Sequence, residues 1–328
     1  MRRLSLFLVV AVGVLVFAPA AFASGPSFVT QGGAGVATHN GAFHYVTVSD
    51  GTTGATLLEK VAGGRVDYWI RLKGSWGTPT IGNGYQTGQG LSRDGRTLVL
   101  ASIPGPPYAS PSRLLILDAR RMKVIRKITL RGYFSFDALS PDASRMYLIQ
   151  FRPASAGDTS HYIVRGYDLR ANRLLPGKIA DRSEDEKTMA GNAMTRVTSA
   201  DGRWVYTLYE KPNGAPFVHA LDTVRGAAHC IDLPKNRALY NIVLSLRNGG
   251  RTLAAHWRSG RPWLRVATGS WRISSPSSGF PWAWLGAGVG GGLALLSAGG
   301  LLLRRRRREE LQQHPRQELG LAERHVVV

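Results

Sequence analysis

The sequence predicts an all-β fold, a β-propeller of five four-stranded blades with six as the competing count, followed by one C-terminal transmembrane helix. Three observations predict it. A polar turn of the form S-x-D-G, followed at once by a short apolar run, recurs five times along the 328 residues. The spacing of about 50 residues suits propeller blades, in which one supersecondary unit repeats around an axis. Finally, the stretch from Pro281 to Leu303 carries no charge and runs directly into five arginines.

The copies are THNGAFHYVTV from Thr38, SRDGRTLVLAS from Ser92, SPDASRMYLIQ from Ser140, SADGRWVYTLY from Ser199 and SLRNGGRTLAAH from Ser245. In each, a short polar acceptor next to glycine reads as a tight turn, because Asp and Asn bond their own backbone two residues on. The runs after the turn, Thr97 to Ser102 and Trp204 to Tyr209, are predicted strands. A second run ends in aspartate at Asp118, Asp168 and Asp222, and a third returns as Val124 to Leu130 or Val66 to Leu72. A fourth, such as Phe136 to Leu139 or Asn241 to Ser245, leads into the next turn. Four strands followed by repetition describe a blade. Counted this way, the fifth unit stops one strand short, and Ser27 to Thr30 is expected to supply that strand and close the ring. Six blades would require hidden strands in Pro153 to Ser160 and Asp181 to Asn192.

Both ends read as membrane signals. Arg2 and Arg3 precede the apolar run Leu6 to Phe17, and Ala21-Phe22-Ala23 has the small residues of a cleavage site, so residues 1–23 are expected to be a secretory signal. Residues 24–273 form the predicted extracytoplasmic propeller and 274–280 a short linker. Residues 281–303 exceed the roughly 20 apolar positions that a spanning helix needs. Trp282 and Trp284 suit the interfacial aromatic belt, and Arg304, Arg305, Arg306, Arg307 and Arg308 form a positive-inside stop, leaving 304–328 as a basic cytoplasmic tail. The expected location is the cell membrane, single-pass, with the N-terminal domain outside. Gly286 and Gly290, and Gly288 and Gly292, form overlapping G-x-x-x-G pairs that allow close helix approach, hence homodimerisation within the bilayer.

The formal net charge is +21, of which about +16 falls on the exterior domain. Such a field favours anionic lipid headgroups or acidic wall polymers, although arginine outnumbers lysine 34 to 8, a bias that codon usage alone produces in high-GC bacteria. Cys230 is the only cysteine, which excludes an internal disulfide, and no N-x-S/T sequon occurs. Stability must come from packing and strand pairing.

The run LLILDARRMKVIRKITLRGYFSFDALSPDASRMYLI, Leu114 to Ile149, resembles the repeat of YVTN-type and TolB-like bacterial β-propellers, and the likeness extends over most of the exterior domain. It implies the fold and says little about activity, since related propellers serve as scaffolds, binding modules, lactonases and dehydrogenases. The sequence departs from the repeat at Ala143, where glycine is expected, and at Thr268-Gly269, where the strand-ending aspartate is missing.

A search for chemistry by spacing yields no catalytic, cofactor-binding or metal-binding residues. There is no G-x-S-x-G elbow, H-E-x-x-H helix, P-loop or dinucleotide fingerprint. His39, His44, His161, His219, His229 and His256 are scattered over several units. The acidic group Asp181, Glu184, Asp185 and Glu186 lacks the glycine-punctuated pattern of a calcium loop. Trp76, Tyr85, Tyr108, Tyr133 and Trp257 are candidates to line a binding surface at one end of the propeller. The proline-stiffened loop Ile103 to Ser112, with Pro104, Pro106, Pro107 and Tyr108, is the candidate recognition loop. The expected function is therefore a membrane-anchored binding or scaffold module at the cell surface, with no cofactor. Its expected partners are the lipid bilayer and a protein or anionic wall polymer; nucleic acid is not favoured. The rival expectations are a lactonase-like hydrolase working in the central channel and a charge-driven binder of lipid or polymer.

Overall fold

In the computed structural model, residues 28–81, 87–103, 111–152, 161–183, 189–236 and 238–275 are described. The signal, the spanning segment, the arginine stop, the glycine pairs and residues 104–110 of the proline loop lie outside them. Contact divides the chain into Met1–Pro276 and Ser277–Val328; the described residues belong to the first unit. No helix among them is long and apolar enough to cross a membrane.

The fold is all-β, with five antiparallel sheets in chain order as the blades. A short strand β1 (Phe28–Thr30) comes first. Blade 1 follows with β2 (Val36–Ala37), β3 (His44–Asp50), β4 (Ala55–Ala62) and β5 (Arg65–Leu72). Blade 2 holds β6 (Trp76–Ile81), the short β7 (Thr87–Gly88), β8 (Thr97–Ser102), β9 (Ser112–Asp118) and β10 (Lys123–Leu130). In blade 3, β11 (Phe134–Leu139), β12 (Arg145–Phe151), β13 (His161–Asp168) and β14 (Arg173–Leu174) are joined by β15 (Met189–Ala190), which pairs with β13. Blade 4 is β16 (Asn192–Thr198), β17 (Trp204–Glu210), β18 (Pro216–Asp222) and β19 (Ala227–Asp232). Blade 5 is β20 (Ile242–Arg247), β21 (Thr252–Trp257), β22 (Pro262–Ala267) and β23 (Ile273–Ser274), entered through a 3-10 turn at Leu239–Asn241.

The S-x-D-G turn owes its shape to one hydroxyl. Ser92 Oγ donates to Asp94 Oδ1 at 2.6 Å and accepts from Thr97 N–H at 2.8 Å, while Arg96 N–H reaches Asp94 Oδ1 at 3.0 Å. Ser140 with Asp142 and Ser199 with Asp201 repeat the arrangement at 2.7 and 2.5 Å, and Thr38 with Asn40 does so at 2.9 Å. The strand-ending aspartates cap the next turns as expected, Asp168 accepting from Arg170 N–H at 2.8 Å and Asp222 from Val224 N–H at 3.0 Å.

Two expectations are corrected. The S-x-D-G turn is a hairpin within one sheet, so the run before it belongs to the same blade as the runs after it. Blade 5 therefore has its four strands already, starting at Ile242–Arg247. The N-terminal strand does not complete it: Phe28, Val29 and Thr30 pair with Thr80, Pro79 and Thr78 of β6 in blade 2. Thr47 and Thr78 hydroxyls both donate to Thr30 O, and Gln31 Nε2 donates to Trp76 O at 2.8 Å, which wedges the strand between blades 1 and 2. Gly77 makes room for it, since a Cβ there would lie 2.5 Å from Thr30 O. The insertion Asp181 to Asn192 contributes β15 to blade 3, not a sixth blade.

Four buried clusters sit between consecutive blades. Leu58, Leu98 and Leu117 join blades 1 and 2; Val99, Phe136 and Leu148 join 2 and 3; Tyr162, Tyr209 and Phe217 join 3 and 4; Leu208, Leu244 and Leu253 join 4 and 5. No such cluster joins blade 5 to blade 1 among the described residues. Each blade alternates its side chains between two neighbours, so nearly every strand position in the middle of the stack is buried.

Ala143 shows that the turn still requires its glycine. It stands at φ +51 where Gly95 and Gly202 stand at +67 and +76 in the sister turns, a left-handed conformation that costs a residue with Cβ roughly 1–2 kcal/mol. Ala143→Gly is expected to stabilise the protein by about 1 kcal/mol, measured as a raised urea midpoint at constant slope.

Candidate ligand-binding mouth

The first-hairpin turns of blades 1 to 4 gather at one end of the propeller. There turn residues line two cavities of about 240 and 420 Å3. The smaller is lined by turn residues of blades 1 to 4, including His39, Arg93, Pro141 and Ser199, and it also exposes edges of Asp137 and Arg196. The larger is lined by Phe43, Tyr45, Lys60, Asp94 and Arg120. His39 and Arg93 belong to both. Arg93 extends from the blade 2 turn toward the turns of blades 3 and 4, since a Cβ on Gly202 would lie 3.5 Å from its side chain and 3.6 Å from Pro141.

The electrostatics of the mouth are uneven. Asp137 of β11 and Arg196 of β16 form an ion pair with exposures of only 2% and 3%, and Arg196 also donates to Asp137 O and, at 2.8 Å, to Thr207 Oγ1. A β-bulge at Asp137 takes that residue out of register with its partner strand. Burial works against ionisation of Asp94 and Asp142, but bonds from the Ser92 and Ser140 hydroxyls and from backbone N–H groups outweigh it and hold both carboxyls below their ordinary value. Lys60 is held by Asp67 at 3.0 Å, 4.0 Å above the Phe43 ring, and Arg120 donates to Asp94 O at 3.1 Å. Arg93 differs: its Nη1 is buried and meets no acceptor among the described residues. A buried cationic donor without an acceptor is costly, and the Arg93 side chain lines both cavities.

Of the residues singled out from sequence, His39 and Asp94 are brought to the mouth. Trp76 is buried between blades 1 and 2, and Tyr133 packs on Phe151 with ring centroids 4.7 Å apart, so neither lines a ligand surface. Trp257 is half-buried below Arg261. Tyr85 and residues 104–110 of the proline loop, Tyr108 among them, lie outside the described residues. Asp181 is a structural anchor: it accepts from Cys230 N–H at 2.8 Å and from Ser183, and pairs with His229 Nδ1 at 2.7 Å. Its acidic neighbours from Glu184 onward are not described. No group of three or more His, Cys, Asp or Glu placed to hold a metal occurs among the described residues.

Sequence reasoning passed over Arg93, Asp137 and Arg196. Asp137 carried a signal, an acidic residue inside the apolar run Phe136 to Leu139. Arg93 and Arg196 carried none, being two among 34 arginines.

No protein-family model matches the sequence, and no curated protein is similar to it at a significant level. Among solved structures, the chain is similar to hydrazine synthase of Kuenenia stuttgartiensis, at 17% identity over 68% of this chain and 61% of that one, with a TM-score of 0.44. It is also similar to TolB from Acinetobacter baumannii, at 14% identity over 77% and 55%, with a TM-score of 0.43. The Dos1 propeller matches at 11% identity over 75% and 59%, with a TM-score of 0.43. The chain spans about three-fifths of the length of these proteins. At such identities the likeness concerns the fold alone.

Two outcomes follow from the buried charges. Arg196→Met leaves Asp137 buried and unpaired and is expected to cost about 3–5 kcal/mol, read by urea unfolding, whereas pairing it with Asp137→Leu should recover most of that loss. His219, 2% exposed in β18, is pushed down to about 4 by burial, partly offset by Asp137 and reinforced by Arg196. The unfolded chain takes up this proton near 6.5 and the folded protein only near 4, so stability is complete above 6.5 and declines as pH falls through that window. The depressed carboxyls of Asp94, Asp142 and Asp201 add a second loss as pH falls below 3.8. Thermal melts from pH 8 to 3 should show both declines, and His219→Gln should lack the first.

Proposed function

We propose that this protein is a membrane-anchored extracytoplasmic β-propeller that acts as a binding module at the cell surface and holds an anionic group of its ligand at the mouth ringed by the S-x-D-G turns. The observation that carries the reading is Arg93, which lines both cavities and whose buried Nη1 meets no acceptor among the described residues. Arg120, His39 and Asp94 line the same space, and the buried Asp137 is committed to Arg196. A carboxylate or phosphate oxygen would complete the guanidinium's hydrogen bonding in a planar, two-point fashion that a lysine could not match. The secretory signal at residues 1–23, the uncharged stretch 281–303 and the arginines 304–308 support the anchored, outward-facing placement.

The test uses the full chain in detergent. Citrate and inorganic phosphate are expected to raise the melting temperature of the wild type in a saturable way, because a ligand bound only by the folded state adds stability as its concentration exceeds Kd. Arg93→Gln should abolish that gain while melting normally without anion. An equal gain in both proteins would overturn the mouth as the binding site. A tag after Val328 that becomes accessible in whole cells only after permeabilisation would support the topology.

A further inference from the structure

The outer strands of blades 1 and 2 depart from the way edge strands are usually protected. Such edges carry charges and bulges that discourage pairing, and both features occur here, with bulges at Asp67 in β5 and at Ile125 in β10. Yet the same edges expose large apolar groups: Val66, Tyr68 and Trp69 are 49%, 54% and 56% exposed, and Val124 and Ile125 are 38% and 59% exposed. Exposed cations surround them, Arg65, Arg71 and Lys73 on the first edge and Arg121, Lys123 and Lys127 on the second, with Asp67 as the only acid within the two strands and with Arg71 and Arg121 paired to Asp50 and Asp118 beside them. The edges meet across Trp76, whose indole N–H donates to Lys73 O at 2.8 Å and whose ring lies 5.9 Å from Lys127 Nζ. They form one strip along the side wall of the propeller, which adjoins the mouth where Asp67 of β5 holds Lys60 at 3.0 Å.

We propose that this strip is a docking surface for an anionic phospholipid bilayer, which would hold the propeller on its side against the membrane. Charge and chemical complementarity favour a bilayer here. Trp and Tyr settle at the level of lipid headgroups with the ring toward the acyl chains and the polar end toward water. Each basic residue near an anionic leaflet adds about 1 kcal/mol of attraction. A protein partner would be expected to bury charge-depleted apolar surface, whereas here cations bracket every exposed apolar group. The position of the mouth then follows: with the side wall on the bilayer, the S-x-D-G end faces along the membrane plane.

The proposal rests on the membrane placement described above, and the test separates the two. Cys230 is the only cysteine, so in a Cys230→Ser background nitroxide labels are placed at Trp69→Cys, at Ile125→Cys and, as a control on blade 4, at Asn213→Cys. The full chain is reconstituted in nanodiscs of phosphatidylcholine alone and of phosphatidylcholine with phosphatidylglycerol. The expected result is that labels at 69 and 125 become accessible to membrane-dissolved oxygen and lose accessibility to aqueous nickel in the anionic discs only, while the label at 213 stays aqueous. Labels at 69 and 125 that stay aqueous in both discs overturn the docking surface, as do labels shielded from both reagents, which would mean a protein cover. A chain that does not enter discs overturns the anchor instead, and the same labels are then read on the chain mixed with vesicles of the two compositions, where the same outcomes decide.

Discussion

The blades depend on a hydroxyl that works twice. In four of the five units a Ser or Thr side chain donates to the Asp or Asn two residues on and accepts from the N–H five residues on, as Ser92 does with Asp94 and Thr97. This closes the first hairpin of the blade at a single length. Register follows from it, and register decides which side chains face the preceding blade and which the next, since a slip of one residue would turn every side chain to the other face. Blade 5 uses Asn248 at φ +53 with Gly249 and Gly250 behind it and reaches the same hairpin through backbone conformation instead.

The same geometry collects charge. In blades 1 to 4 the turn brings the residue between Ser or Thr and Asp or Asn to the smaller cavity, and in blade 2 that residue is Arg93. In blades 3 and 4 the equivalent positions are Pro141 and Ala200, small enough to leave the space that Arg93 enters. Between blades 3 and 4 a polar file runs outward from the mouth: Arg196, Thr207, His219 and Cys230 are cross-strand neighbours on one face of blade 4. Cys230 Sγ lies 3.8 Å from His219 Nδ1. The file crosses an otherwise aromatic interface of Tyr162, Tyr209 and Phe217, which is why its charges are buried and its histidine stays neutral. A polar file of this kind contributes more to the unique pairing of two blades than to their net attraction.

Much of the architecture was legible in local pattern. The S-x-D-G echoes, the strand-ending aspartates and the runs Thr97 to Ser102 and Lys123 to Leu130 all depend on residues within a few positions of one another. The glycine expected at Ala143 was legible in the same way, and the alanine there adopts the glycine conformation. Misplacing the blade boundary by one strand came from reading the turn as a separator between sheets, when its tightness makes it a link within one. The wedge role of Phe28–Thr30 was not legible, because three residues pair with either of two sheets equally well by pattern.

Local sequence is sufficient for repeat length, strand positions, turn chemistry and the apolar and basic terminal signals, since each rests on contacts between near neighbours. It does not indicate which of 34 arginines keep a buried nitrogen without an acceptor among the described residues, which aspartate is buried, or which aromatics are covered. Those depend on blades brought together across long separations, 59 residues in the case of Asp137 and Arg196, where packing and desolvation decide the environment of a side chain and its neighbours in the chain do not.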